Sequence, residues 1–265
     1  MQPLVSIIIP VYNAALYLDH CLGSLLRQTY QNVELLVIDD KSTDDSGLLC
    51  DFWAEHDARI HVFHQSTNQG VSAARNLALD NASGTFICFV DSDDWCEPDY
   101  INRFVINMTE QKVQLACCGY FADGQLLKAS TNKPLSRSLT QGEMLQDIIK
   151  PSGDIRGFLW NKCYRRDIIE ANHLRFDMTL TVMEDQLFNV SYIRDADTFW
   201  YDAYQTYHYV TYSNSASHGL STKKLAAELT ALDKINDVID TSELKQSLQT
   251  QLAEYRLISN DSDED

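Results

Sequence analysis

The run Asp91-Ser92-Asp93 follows an apolar stretch and sets two carboxylates one residue apart where a strand should end. Alternate carboxylates at such a place can hold one hard divalent cation. Mg2+ or Mn2+ takes oxygen ligands there and keeps open positions for phosphate oxygens. The same acids would also serve as a loop that caps the next helix. Asp39-Asp40 closes an earlier apolar run. A carboxylate there can accept from a nucleobase N–H or a ribose hydroxyl, or cap a helix. Arg75 carries a forked cation that matches diphosphate oxygens, with a surface ion pair as the alternative. Glu184-Asp185 offers a proton acceptor and its neighbour, or simply two acids favoured at a helix N-terminus. Trp160 could stack on a sugar ring and Lys162 could pair with phosphate, each against plain packing or surface duty. His208 and His218 are lone histidines, and spacing does not choose between them; His208 sits in the 201–212 segment with five tyrosines.

These side chains need elements to position them. Apolar runs at 5–9, 35–38, 60–63, 86–90 and 113–120 read as strands. Between them lie helical spacings. Asn13 can cap a helix lined by Leu18, Leu22, Leu25 and Leu26, and Ser42 or Thr43 a helix carrying Leu48, Leu49, Phe52 and Trp53. A third helix spans 71–81 and ends before Gly84; a fourth opens at Pro98. Strands apolar throughout and separated by helices imply an α/β, doubly wound, mostly parallel sheet covered on both faces. Ligands bind such sheets beyond the carboxyl ends of the strands. Tyr12-Asn13, Asp39-Asp40 and Asp91 to Asp94 all fall there, so five carboxylates gather near one rim. After residue 125, Thr140 to Glu143 forms a capping box, 184–194 reads as a helix, 199–210 as an extended segment and 221–258 as two amphipathic helices.

Acids outnumber bases 38 to 21, for a net charge of −17, and the 259–265 tail is acidic. A surface that negative disfavours nucleic acid and polybasic docking on anionic lipid. It also means that a phosphorylated ligand needs local charge compensation. The 45% hydrophobic content suits a globular chain. The seven cysteines are odd in number, show no C-x-x-C, and point to a reducing compartment. No apolar stretch approaches 18 residues and the N-terminus lacks a basic region before its short apolar run. The expectation is a cytoplasmic protein without signal peptide or membrane span.

Four segments occur in order: Ser6-Ile-Ile-Ile-Pro-Val-Tyr-Asn13, Glu34-Leu-Leu-Val-Ile-Asp-Asp-Lys-Ser-Thr-Asp44, Asn68-Gln-Gly-Val-Ser-Ala-Ala-Arg-Asn76 and Phe89-Val-Asp-Ser-Asp-Asp94. Together they closely resemble the family-2 inverting glycosyltransferases of the GT-A fold. The resemblance is strong over 4–120 and continues more weakly through Trp160-Asn-Lys162 and Met183-Glu-Asp185.

The resemblance implies a nucleotide-sugar half at 1–120, an acceptor-side half at 121–220, C-terminal helices at 221–258 and a tail at 259–265. It assigns Pro10, Tyr12, Asn13, Asp39 and Asp40 to the donor's base and ribose, Arg75 to the donor's base or diphosphate, and Ser92 and Lys162 to donor binding as well. Asp93, with Asp91, would hold Mn2+ or Mg2+, which screens the diphosphate and stabilises the leaving nucleotide. Asp185 would deprotonate the acceptor hydroxyl, and one base with one in-line displacement inverts the anomeric centre. Glu184, Trp160 and His218 would lie toward the acceptor. The family implies a UDP-sugar donor and a bacterial surface-glycan or lipid-linked acceptor met peripherally at the membrane; a homodimer through the C-terminal helices is a further expectation. Competing readings are a sugar nucleotidyltransferase, whose G-x-G-x-R signature is missing from the N-terminal segment, a receiver module of half this length, and a relative that binds donor without turnover.

Overall fold

Strands β1 (Val5–Val11), β2 (Val33–Asp39), β3 (Ile60–His64) and β4 (Phe86–Phe89) pair in parallel; β1, β2 and β4 are buried almost throughout, while β3, at the edge, exposes His61 and His64. Ile8, Leu36, Ile38, Ile87 and Phe89 enter one core with Ala74 and Ala78. Ile7, Ile9, Leu35, Val37 and Cys88 enter the other with Leu18, Leu22, Leu25 and Phe104. The alternation of a pleated strand thus fills two cores from one sheet. The first is roofed by helices α3 (Val71–Asn81), α5 (Gln141–Ile149), α7 (Glu184–Arg194) and α8 (Thr222–Val238), the second by α1 (Leu18–Leu26), α2 (Ser46–His56) and α4 (Tyr100–Glu110). The doubly wound α/β expectation is met. This computed structural model describes residues 2–122, 135–150, 153–210 and 222–239.

The second part of the chain returns to the same sheet. β8 (Lys162–Arg165) inserts antiparallel between β4 and β6 (Leu115–Ala122), β9 (Phe199–Tyr209) runs parallel to β6, and the short β5 (Trp95–Cys96) and β7 (Arg137–Leu139) pair with β9. The resulting order is β3-β2-β1-β4-β8-β6-β9-β5, with β7 beside β9. One sheet therefore crosses the sequence boundary near residue 120. A short helix, α6 (Arg166–Ala171), follows β8.

Several local expectations change. β1 does not stop at Pro10 but runs through it. The Ile8 carbonyl accepts from Val90 and the Val11 carbonyl from Asp40, so the alternation aims Pro10's missing donor at the β4 side, just where that pairing ends. Asn13 does not cap α1, whose N-cap is Tyr17. Nor do Ser42 or Thr43 cap α2, whose N-cap is Asp45; just before it, Asp44 accepts from the Ser46 N–H at 3.0 Å. The helix expected at Pro98 starts at Tyr100. The third helix does span Val71–Asn81 and end before Gly84, where a Cβ would sit 2.5 Å from the Ser6 nitrogen. The Thr140/Glu143 capping box is present. The second C-terminal helix and the acidic tail lie outside the described residues. Among those residues, no helix is long and apolar enough to cross a membrane.

Candidate active site

The carboxyl ends of β1, β2 and β4 bring the first motifs to one rim. Tyr12 stands half exposed at the end of β1, one residue beyond the strand that contains Pro10. Asn13 takes a left-handed conformation, φ 51°. Its side-chain oxygen accepts from the Thr43 N–H at 2.8 Å and hydroxyl at 3.2 Å, which sews the β1 and β2 loops together. Asp39 is buried, accepts from the Ser42 N–H at 2.9 Å and meets His64 Nδ1 at 2.9 Å. Burial pushes its carboxyl up, but the bonds from Ser42 and His64 outweigh that and hold it below the usual range. Asp40 accepts from Gln65 Nε2 at 2.8 Å and from the Gln69 and Gly70 N–H groups, each at 2.7 Å. Gly70 has φ 86°, so this N–H reaches Asp40 through a backbone that side chains avoid. Both acids thus anchor loops, and any nucleoside contact must use their remaining lone pairs. His64 and Gln65 were not singled out in the sequence, while Gln69 lies within the Asn68–Asn76 segment.

Beyond β4 the turn Asp91 to Asp94 is braced from β9. The Asp91 N–H donates to the Tyr207 hydroxyl at 3.2 Å, and that hydroxyl donates to Asp94 Oδ2 at 2.6 Å. Asp94 Oδ1 also accepts from the Val210 N–H at 2.8 Å. Asp94 is a buried strut, then, with its carboxyl pushed up to about 8 by burial and by the charge of Asp91. Asp93 is pushed up to about 6 by the same two causes. Asp91 is likewise raised by burial, opposed by Arg75. Ser92 is nearly buried within the turn. Tyr207 belongs to the tyrosine-rich segment, but a partnership across 113 positions leaves no local sequence signal.

Arg75 is the point where both halves meet. Its Nη1 donates to Glu184 Oε1 at 2.8 Å and its Nη2 to Asp91 Oδ1 at 3.4 Å, and its guanidinium lies 5.4 Å from the Phe176 ring centre. Glu184 and Asp185 open α7, where a helix N-terminus favours an anion by about 0.3–1 kcal/mol, less than one pKa unit. Burial and the charge of Glu184 win over it, and over Arg75, pushing Asp185 up to about 7. That value lies where a general base works near neutral pH.

Three expected ligand residues have other occupations. Lys162 lies in a central strand and is fully buried; its ammonium donates to the Arg156 and Phe158 carbonyls and, at 2.8 Å, to Asn161 Oδ1. Burial lowers it to about 8. All three donors are spent on chain oxygens, so none is left to pair with phosphate. Trp160 is stacked at 4.5 Å on Tyr207 and at 4.6 Å on Phe158, and belongs to the core rather than to an open sugar platform. His208 is sandwiched between Trp95 at 3.5 Å and Phe121 at 4.4 Å, and meets Glu97 at 2.8 Å. His218 lies outside the described residues.

Residues 6–171 match Glycosyl transferase family 2. The chain belongs to this family. Among curated relatives, EpsH of Bacillus subtilis (strain 168), whose name carries a provisional glycosyltransferase assignment, is 36% identical over 78% of this chain and 60% of its own. The chain therefore spans about three-fifths of that relative's length. Of solved structures, S. aureus TarS 1–349 in complex with UDP-GlcNAc superposes with a TM-score of 0.76 at 22% identity, over 95% of this chain and 72% of that one. The mannosyltransferase PcManGT from Pyrobaculum calidifontis, in complex with GDP-Man and Mn2+, superposes at 0.66 and 16% identity, over 95% of this chain and 70% of its own. These likenesses establish the GT-A fold.

Does this family-2 chain suit a divalent metal? Among the described residues, no group of three or more His, Cys, Asp or Glu surrounds a metal position. The turn instead offers two carboxylates, both raised by burial, with Asp93 raised further by the charge of Asp91. A cation between them would relieve that repulsion. Two carboxylates completed by phosphate oxygens and water form the donor set that Mg2+ or Mn2+ takes, so the residues fit.

Proposed function

We propose that this chain transfers a sugar from a nucleotide-diphosphate donor, a UDP-sugar first, to a hydroxyl of a glycan or lipid-linked acceptor in bacterial surface-polysaccharide synthesis. The observation that carries this reading is the bridge from Asp91 through Arg75 to Glu184. It joins the acidic turn after β4 to Glu184 at the start of α7, beside Asp185, whose carboxyl is raised to about 7; Asp91 and Glu184 lie 16 and 109 residues away from Arg75. A donor-side acid pair and an acceptor-side base facing one rim are what a single displacement requires.

The donor's base would lie at Tyr12, whose half-exposed ring can stack on it, beside the Asp39 and Asp40 loops. Asp93, with Asp91, would hold Mn2+ or Mg2+; the cation, when bound, neutralises the departing diphosphate. Asp185 accepts the proton of the acceptor hydroxyl as its oxygen attacks the anomeric carbon opposite the phosphate. That geometry inverts the configuration. TarS, which shares the fold and was solved with UDP-GlcNAc, supports testing UDP-GlcNAc first. With the −17 charge, contact with an anionic membrane needs help from the acceptor or another protein.

The deciding assay mixes the protein, MnCl2 and a panel of nucleotide sugars and measures released nucleoside diphosphate. Turnover that disappears in Asp185→Asn while UDP still binds supports the reading. Binding without release in the wild type, across the whole panel and with glycan acceptors supplied, would instead identify a donor-binding relative without turnover.

A further inference from the structure

We propose that Arg75 is a positioning residue: it ties the base-bearing end of α7 to the acidic turn after β4 and does not bind the donor. The inference rests on the transferase reading above. Arg75 is 7% exposed, and its two terminal nitrogens are both committed to carboxylates of the chain. A guanidinium that grips a diphosphate presents its fork outward. This one is turned inward, with its Nε buried and without a partner and its plane near Phe176.

The two arms are unequal. The 2.8 Å bond to Glu184 is a full charge-assisted hydrogen bond, whereas the 3.4 Å contact to Asp91 is at the limit of one. The long arm is the one that a divalent cation at Asp91 can displace at small cost, while the short arm keeps α7 in place. Arg75 so compensates Asp91 before the cation arrives, and holds Asp185 in register afterwards. Its charge also bears on Asp185 directly. The charged groups facing that carboxyl are Glu184, which raises it, and Arg75 and Lys162, which lower it.

The test compares Arg75→Met, Arg75→Lys and the double variant Arg75→Met/Glu184→Gln. The double variant removes both members of the buried pair together and spares the fold an uncompensated charge. Two quantities are read: the midpoint of the pH–rate profile for nucleotide release, and UDP affinity with Mn2+ by calorimetry. Positioning predicts that Arg75→Met moves the midpoint up by about one unit, roughly a tenfold loss of rate at pH 6 that closes toward pH 9. Arg75→Lys restores the midpoint, the double variant returns it to the wild-type value or below, and all three keep UDP affinity within threefold. A tenfold or greater loss of UDP affinity in Arg75→Lys or the double variant, with the midpoint unmoved, would overturn the proposal and make Arg75 a donor ligand. If Arg75→Met does not fold, the other two variants decide. A wild-type protein that neither binds UDP with Mn2+ nor releases it would refute the transferase reading itself, a result distinct from either.

Discussion

If Asp185 is the base proposed above, the pH dependence of turnover follows from this one carboxyl. Asp185 is pushed up to about 7 by burial and by Glu184, with Arg75 pulling the other way. A general base works only when deprotonated, so the rate must rise with pH. With a midpoint near 7, the active fraction is about 0.09 at pH 6, 0.5 at pH 7 and 0.91 at pH 8, roughly a tenfold rise over two units. A cation bound at the neighbouring turn adds positive charge and moves this limb to lower pH. Metal-saturated enzyme should therefore show its midpoint at or below 7. Asp185→Asn keeps an oxygen to accept the Gln186 N–H, which Asp185 holds at 2.7 Å, so the fold should survive. It removes the proton acceptor, and the expected loss is about 10²–10⁴ in turnover with a flat pH response. The assay is UDP release from UDP-sugar with saturating Mn2+ between pH 5.5 and 9. Wild-type turnover in Asp185→Asn, or a wild-type rate that falls as pH rises through 7, would refute the reasoning.

The metal-free protein should lose stability as pH rises. Asp93, Asp185 and Asp94 titrate near 6, 7 and 8 in the fold, against roughly 4 when unfolded. Between these limits the native state holds more protons than the unfolded one, so their contribution is complete below about pH 4 and declines through pH 8. The thermal midpoint should drop by roughly 5–10 °C from pH 6 to pH 8. Mn2+ with UDP should restore more of it at pH 8 than at pH 6; a midpoint that rises over that range without metal would contradict the charge assignment. Trp160→Ala should cost about 3–5 kcal/mol in urea unfolding because the ring is core, and a loss under about 1 kcal/mol would return it to an exposed platform. Gly84→Ala should cost about 1–3 kcal/mol by driving a methyl against Ser6, which is checked in the same experiment.

Much of the site was legible because its chemistry is local. Asp39-Asp40 and Asp91 to Asp93 sit at strand ends that apolar runs alone locate, and a parallel sheet sends all such ends to one rim. The capping box at Thr140 and the start of α7 at Glu184 were equally readable, since both depend on neighbours within four residues. For Lys162 and Trp160 the sequence left ligand and packing roles open, for the opposite reason. Their types suit ligands, but β8 slides between β4 and β6 and buries both, a pairing that periodicity cannot foresee.

The sequence by itself determined the strand ends, the acidic turn and the family, because residue type and short spacing carry those. Tertiary structure alone decided which charges face one another. Arg75 meets Glu184 across 109 positions, and Tyr207 meets Asp94 across 113. The partners of a buried ion are chosen by strand order and helix packing rather than by distance along the chain, so the electrostatics of this site exist only once the sheet has closed around it.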